Sequence, residues 1–325
     1  MLALSFAAAV CAEEVHDLPR EETLYFGGQQ WGPINGWNPL SSNMNNGMAS
    51  AAAPRGSRTV MFETLYMFNI LDGELYPLLA DGDYEWNDDL TEMTVEINEA
   101  AKWSDGTPVT ADDVAATWEA GIATKNGTYI CQKAWIDKIT AEHNGDADAI
   151  LNDPAEDVPF SGPYGPYFAN NQIVVFIRND NYWGQDDSMW GSLPAPKYIA
   201  HSIYQDNDAT LIAFKGGQID VNQQFIANVQ NLWEQDGLPI ATFMDEEPYG
   251  ICVTMPTSWY NMEIPVLQVP EVRKAIAIAV DYDQIIENAM TNQSPSFYGD
   301  GDNIPPADCT DGYGIACLYN LELAN

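Results

Sequence analysis

Apolar positions fall into short blocks separated by Gly, Pro and Asn, and their period changes along the chain. Glu22–Gly28 reads as a strand leading into a Gly/Pro/Asn loop. Val60–Leu71 (VMFETLYMFNIL) has helical spacing. Tyr84 and Trp86, a turn at Asn87-Asp88-Asp89, and then Met93, Val95 and Ile97 alternating with polar residues predict a hairpin with one buried face. Ser104-Asp105-Gly106-Thr107-Pro108 is turn chemistry. It precedes a helix with Thr110 as N-cap, Asp113 at N3 and one apolar face on Val114, Trp118 and Ile122. Gln172–Ile177 suits a buried strand. Lys197–Tyr204, Asp206–Phe214, the glycines 216 and 217, and Gln218–Val221 predict strand, helix, C-cap and strand, a β-α-β unit. Tyr249–Tyr260 is expected to be a crossing strand. Pro270–Asp281 is expected to be an amphipathic helix with Val272, Ala275, Ile276, Ala279 and Val280 on one face and Glu271 at its positive end. The mixture is an α/β protein.

Composition narrows the setting. A chain of 325 residues suggests two domains, and an apolar content of 46% supports a full core. Twelve basic and forty-eight acidic residues give a net charge of −36, which excludes nucleic acid and anionic membrane as partners. Such acidity fits an exported protein and equally an acid-surfaced one from a salty habitat. Met1–Ala12 resembles the end of a signal peptide cut before Glu13, with lipid attachment at Cys11 as the less favoured alternative. No later apolar run reaches membrane-spanning length. Cys309 and Cys317 flank a short Gly-rich loop and are the candidate disulfide, with Cys131 and Cys252 left over. The acidic run 145–157 lacks the spacing of a calcium loop, and His16, His143 and His201 are scattered, so no metal or other cofactor is expected.

Three ordered strings carry a resemblance: W-S-D-G-T-P-V-T-A-D-D-V from Trp103, G-P-Y followed by a strand and R-N-D-N-Y-W from Gly162 to Trp183, and V-R-K-A-I-A-I-A-V-D from Val272. With the weaker G-Q-I-D-V at 217–221, they resemble the family 5 extracellular solute-binding proteins of ABC importers. These are receptors for oligopeptides, dipeptides and oligosaccharides. The loops after Glu22 and around Gln223-Gln224 are most similar to the cello-oligosaccharide-binding subgroup. One departure is Ile97-Asn98-Glu99-Ala100, where the family commonly has Leu-Arg-x-Gly.

The resemblance implies a periplasmic-binding-protein-like two-lobe fold (type II, cluster C), with the second lobe incomplete because family members are longer. The implied organisation is a signal remnant at 1–12, a first lobe at 13–245 holding an extra subdomain at about 40–165, and the start of a second lobe at 246–325. The implied function is that of an exported, monomeric receptor, periplasmic or held at the cell surface, which captures oligosaccharides or oligopeptides, needs no cofactor and delivers its solute to ABC permease subunits. Weak or absent binding is expected of a chain with one lobe incomplete.

The rival class is a secreted glycoside hydrolase, which needs two poised carboxylates; no pair stands out among forty-eight, and no phosphate loop or nucleophile elbow is present. Sugars stack on aromatic faces and meet amides at the rim. The candidate ligand contacts are therefore the loop aromatics Trp31, Trp37, Trp259 and Tyr260 and the amides Asn38 and Gln224, each of which also reads as a core or hinge position. The string that names the family, 102–123, is expected to be scaffold.

Overall fold

A computed structural model describes residues 18–28, 32–41, 60–69, 73–125, 129–242, 244–247, 249 and 259–293. The chain divides into two units, residues 1–224 and 225–325. The first unit is built on a mixed sheet. Its strands are β1 (Thr23–Gly27), β6 (Tyr164–Ala169), β7 (Ile173–Arg178), β8 (Tyr198–Ser202) and β9 (Val221–Asn222), in the spatial order β6-β7-β8-β1-β9. Two small hairpins stand outside it: β2 (Tyr66–Asn69) with β3 (Glu74–Pro77), and β4 (Glu85–Trp86) with β5 (Met93–Thr94). The helices of this unit are α1 (Ala111–Thr124), α2 (Lys133–Glu142), α3 (Ala147–Asn152) and α4 (Asn207–Lys215).

The sheet follows from its sequences. The middle of β7, Val174-Val175-Phe176, is fully buried, so the strand reads as an unbroken apolar run rather than an alternating one. It pairs antiparallel with β6 and β8, while β1 runs parallel to β8 and β9. The expected β-α-β unit is therefore present as β8, α4 and β9. Asp206 caps α4 by accepting from the Ala209 N–H at 2.8 Å, and Gly216 ends it.

The turn and capping box at 104–113 form as expected. Asp113 accepts from the Thr110 N–H at 2.8 Å, and its other oxygen accepts from the Lys133 N–H at 2.7 Å, so one buried carboxylate caps α1 and also serves the start of α2. The Trp103 indole N–H reaches the same carboxylate at 3.3 Å. Thr117 adds a second tie, donating to the Asp113 carbonyl and accepting from the Cys131 N–H at 2.8 Å.

The predicted apolar face of α1 is corrected. Val114 is buried, but Trp118 is 57% and Ile122 80% exposed. The buried residues are Asp113, Val114, Ala116 and Thr117. Steps of four residues advance about 40° around a helix, so a row that starts on the flank at Val114 rotates away from the Asp113–Thr117 face that the neighbouring elements hold.

Val60–Leu71 is not a helix over its described residues. The Gly162 N–H donates to the Met61 carbonyl and the Tyr164 N–H to the Val60 carbonyl, both at 2.9 Å, while the Glu63 N–H donates to the Ser161 hydroxyl. The chain then enters β2. These tertiary partners and the pairing with β3 outweigh a weak helical propensity. The hairpin expected at 84–97 forms, but its predicted buried face does not: Trp86 and Met93 are both exposed.

In the second unit, α5 (Asn231–Glu234), α6 (Pro270–Ile278) and α7 (Tyr282–Gln284), which runs into a π turn at Ile285–Ala289, are the described helices. Proline at its first turn starts α6 as the sequence suggests, although Ile276 on its apolar face remains exposed. The Gln293 amide donates to the Ile226 carbonyl at 2.7 Å and ties the two described ends of the unit together. The crossing strand expected at 249–260 and the pair Cys309–Cys317 lie outside the described residues, apart from residues 249, 259 and 260.

Candidate functional site

The carboxyl ends of β1, β8 and β9 lie side by side, and in parallel α/β sheets such ends are where ligands bind. Strand β1 ends in Gly27-Gly28. Gly28 has φ +87°, a conformation that disfavours any residue with a Cβ, and a Cβ there would meet the Gln224 side chain at 2.4 Å. His201 in β8 is fully buried, and its Nε2 engages the Gly28 carbonyl, so the turn that leaves β1 is held from the neighbouring strand. The Gln223 N–H donates to the Gly27 carbonyl at 2.9 Å and continues the β1–β9 ladder past its last pair. Gln224 follows directly. Both polar atoms of its side-chain amide are buried, and among the described residues neither has a hydrogen-bond partner. Such an amide costs about 1–3 kcal/mol per unmet group until something supplies the bonds.

Below these ends, Asp220 accepts from the Tyr25 N–H at 2.8 Å and forms a two-pronged ion pair with Arg20. Burial pushes its carboxyl up, but Arg20 and the Tyr25 N–H hold it below the ordinary carboxylate value. The Q-I-D-V string thus anchors β9 to β1 at the base of the site.

Two other sequence-derived contacts, Trp37 and Asn38, lie elsewhere in the first unit. Trp31 lies outside the described residues. Trp37 is buried, edge-on to Phe176 with ring centres 5.5 Å apart, and belongs to the main core. Asn38 is 2% exposed; its amide donates to the carbonyls of Ile150 (2.7 Å) and Asp153 (3.0 Å), and its oxygen accepts from the Leu40 N–H at 2.9 Å. That amide pins the loop to the end of α3, beside a polar cavity of about 400 Å³ bordered by Asn35, Ser41 and Asp153. Trp259, 91% exposed, and the half-buried Tyr260 belong to the second unit. Of the candidates described in the first unit, Gln224 stands at the strand ends and Trp37 and Asn38 do not.

A buried carboxylate escaped the sequence reading. Glu63 is almost fully enclosed; it accepts from the Tyr182 hydroxyl at 2.6 Å and from the Trp183 indole at 2.9 Å. Burial pushes its carboxyl up to about 7 against the pull of those donors and of Ser161. Burial and the facing carboxylate together drive the Tyr182 hydroxyl upward, so it stays a donor. The signal available was the pairing of a glutamate inside an apolar run with the Y-W exit of β7, 120 positions apart. Among the described residues no cluster of His, Cys, Asp or Glu is arranged to hold a metal, and no helix is long and apolar enough to cross a membrane.

Residues 74–146 and 134–325 match the model of the bacterial extracellular solute-binding proteins, family 5 middle. The chain is 26% identical over 257 residues to the probable peptide-binding protein YejA of Agrobacterium fabrum, covering 65% of this chain and 41% of that protein. It is 26% identical over 273 residues to YejA of Escherichia coli, covering 71% and 44%. The chain therefore spans less than half the length of these curated relatives. Among solved structures, the periplasmic oligopeptide-binding protein of an oligopeptide ABC transporter from Thermotoga maritima, with mannohexaose bound, superposes with a TM-score of 0.73 at 24% identity, covering 94% of this chain and 61% of that one. The oligopeptide-binding protein AppA of Bacillus subtilis, in complex with a nonapeptide, gives 0.60 at 16%, covering 93% and 62%. The fold is accordingly the α/β, periplasmic-binding-protein-like one.

Proposed function

Because the chain belongs to the bacterial extracellular solute-binding proteins, family 5, we propose that it is the solute-capturing receptor of an ABC importer, binding an oligosaccharide and handing it to membrane permease subunits. The observation that carries the reading is Gln224: a glutamine amide with both polar atoms buried and unpartnered at the carboxyl ends of parallel strands. A solute that offers a hydroxyl or a carbonyl there supplies the missing bonds. The other contacts expected on the sugar, Trp31, Trp259 and Tyr260, are proposed as stacking platforms. Trp37 and Asn38, both buried, are assigned to holding the 32–41 segment in place. The resemblance of the 223–229 segment to the cello-oligosaccharide-binding subgroup, and a relative of the same fold that holds mannohexaose, favour sugar. A peptide solute is the second reading, favoured by the name of the Agrobacterium relative.

Calorimetry on the chain, and on the longest reading frame that contains it, with cellohexaose, mannohexaose and a mixed nonapeptide pool tests the proposal. Binding of one hexaose, intact afterwards by chromatography and weakened about tenfold by Gln224→Ala, supports it. Hydrolysis of the sugar would favour the glycoside hydrolase class. Binding by the nonapeptides alone would overturn the sugar reading, and binding indifferent to Gln224→Ala would overturn the site.

A further inference from the structure

The two small hairpins carry large apolar side chains that the core does not use. Phe68, Leu75, Tyr76, Tyr84, Trp86 and Met93 are between 40% and 50% exposed. Several adjoin one another: Tyr66 meets Tyr84 edge-on with ring centres 5.6 Å apart, Tyr84 meets Trp86 at 6.4 Å, and Trp86 pairs across the strands with Met93. Met67 and Tyr76, paired in the β2–β3 hairpin, line a cavity of about 440 Å³ together with Met189, Trp190, Asn98 and Asp81. So large an apolar surface on a water-soluble domain marks an interaction site more often than chance.

Charge identifies the occupant. Residues 81–99 carry eight carboxylates, and no Lys or Arg occurs between residues 59 and 101. None of the ion pairs recorded between described residues involves residues 81–99. Aromatic faces beside uncompensated carboxylates attract a cation with an apolar body, through ring quadrupole and Coulomb terms together. A neutral sugar gains little from eight carboxylates, and an anionic surface is repelled. A small amine would fill the cavity and leave the Tyr84–Trp86 ridge uncovered, whereas a polypeptide covers both.

We propose that this acidic, aromatic face of the two hairpins docks a basic polypeptide segment of a partner protein. One arginine or lysine enters the cavity beside Asp81 and Trp190, and apolar side chains of the segment lie on Tyr84 and Trp86. The surface lies in residues 66–69, 73–98 and 188–190 and shares no residue with the strand-end site, so it stands independently of the solute reading.

A labelled octapeptide of alternating leucine and arginine, followed by fluorescence anisotropy with the intact chain, is the probe; serine–arginine and leucine–glutamate octapeptides and free arginine amide are its comparators. The expected result is binding of the leucine–arginine peptide that weakens with added salt, weaker binding of serine–arginine, and none of leucine–glutamate. Trp86→Ser and Asp81→Asn, both with unchanged melting temperature, should each weaken it about tenfold, while Gln224→Ala leaves it unchanged. The proposal is overturned by absence of binding, by equal binding of leucine–glutamate, or by indifference to both hairpin variants. Loss of binding on Gln224→Ala alone would assign the peptide to the strand-end site, and arginine amide binding as tightly as the peptide would reduce the surface to a small-cation site; either also overturns it.

Discussion

Replacing Glu63 by glutamine removes a titration that lies inside the neutral range. The carboxyl sits near 4.5 when unfolded and is pushed up to about 7 by burial in the fold. Between those values the native state holds a proton that the unfolded chain has lost, so stability falls as pH rises through the window. Below 4.5 both states are protonated and the carboxyl makes no pH-dependent difference; above 7 the burial cost is fully felt. A change from 4.5 to about 7 corresponds to about 3 kcal/mol, an upper figure because some water penetrates most interiors. Glutamine is shape-matched: its oxygen can accept from the Trp183 indole while its N–H₂ donates to the Tyr182 oxygen, which already receives the Trp190 indole N–H at 3.3 Å. Urea unfolding at pH 4.5, 6, 7 and 8 should show wild-type stability declining across the series by up to about 3 kcal/mol relative to Glu63→Gln. The carboxylates of Asp105, Asp153 and Asp220 are held below their ordinary value, so their contribution is lost only at lower pH and does not mask the comparison. Parallel stability curves for the two proteins over this range would refute the assignment of Glu63 as a buried, half-protonated group.

Three further outcomes follow from the geometry. Asp113→Ala leaves the Trp103 indole, the Thr110 N–H and the Lys133 N–H without their acceptor, and should cost about 2–4 kcal/mol by urea unfolding; Asp113→Glu, the usual capping-box residue, should recover part of it. Gly28→Ala forces a Cβ into a left-handed turn and against Gln224, and a loss of about 1–2 kcal/mol in thermal unfolding is expected. The Cys131 thiol is buried and pushed up to about 12, so at pH 8 iodoacetamide should leave it unmodified in the native chain and label it in urea, as read by peptide mass spectrometry.

Elements whose stabilisation is local were legible in the sequence. The 104–113 turn and cap, the capped helix α4 and the start of α6 each depend on residues within a few positions of one another. The misread elements depend on distant partners. Val60–Thr64 is extended because Ser161, Gly162 and Tyr164 pair with its backbone, and no periodicity within the segment records that. The exposure of Trp118 and Ile122 reflects which side of α1 Asp113 and Thr117 bind, a choice made by Trp103, Cys131 and Lys133. The position of Gln224 just past a strand was legible from the Q-I-D-V string. The role of Asn38 was not: its bonds run to carbonyls more than a hundred positions away. Glu63 was hidden for the same reason, since an acid within an apolar run looks like the polar edge of a helix until its two ring donors arrive.

The position of β1 in the sheet also dictates an order of assembly. Thr23 pairs with Tyr198 and Phe26 with Val221, so β1, early in the described sequence of its unit, is flanked by two of the unit's late strands. During synthesis it has no ladder to join until nearly two hundred further residues have emerged, while the hairpins and α1–α3 can close from local contacts. Folding of the first unit is therefore expected to finish with the insertion of β1, slowly, with its strand edges open in the meantime. Until β8 and β9 arrive, β1 offers its unpaired edges to any factor that binds extended chain.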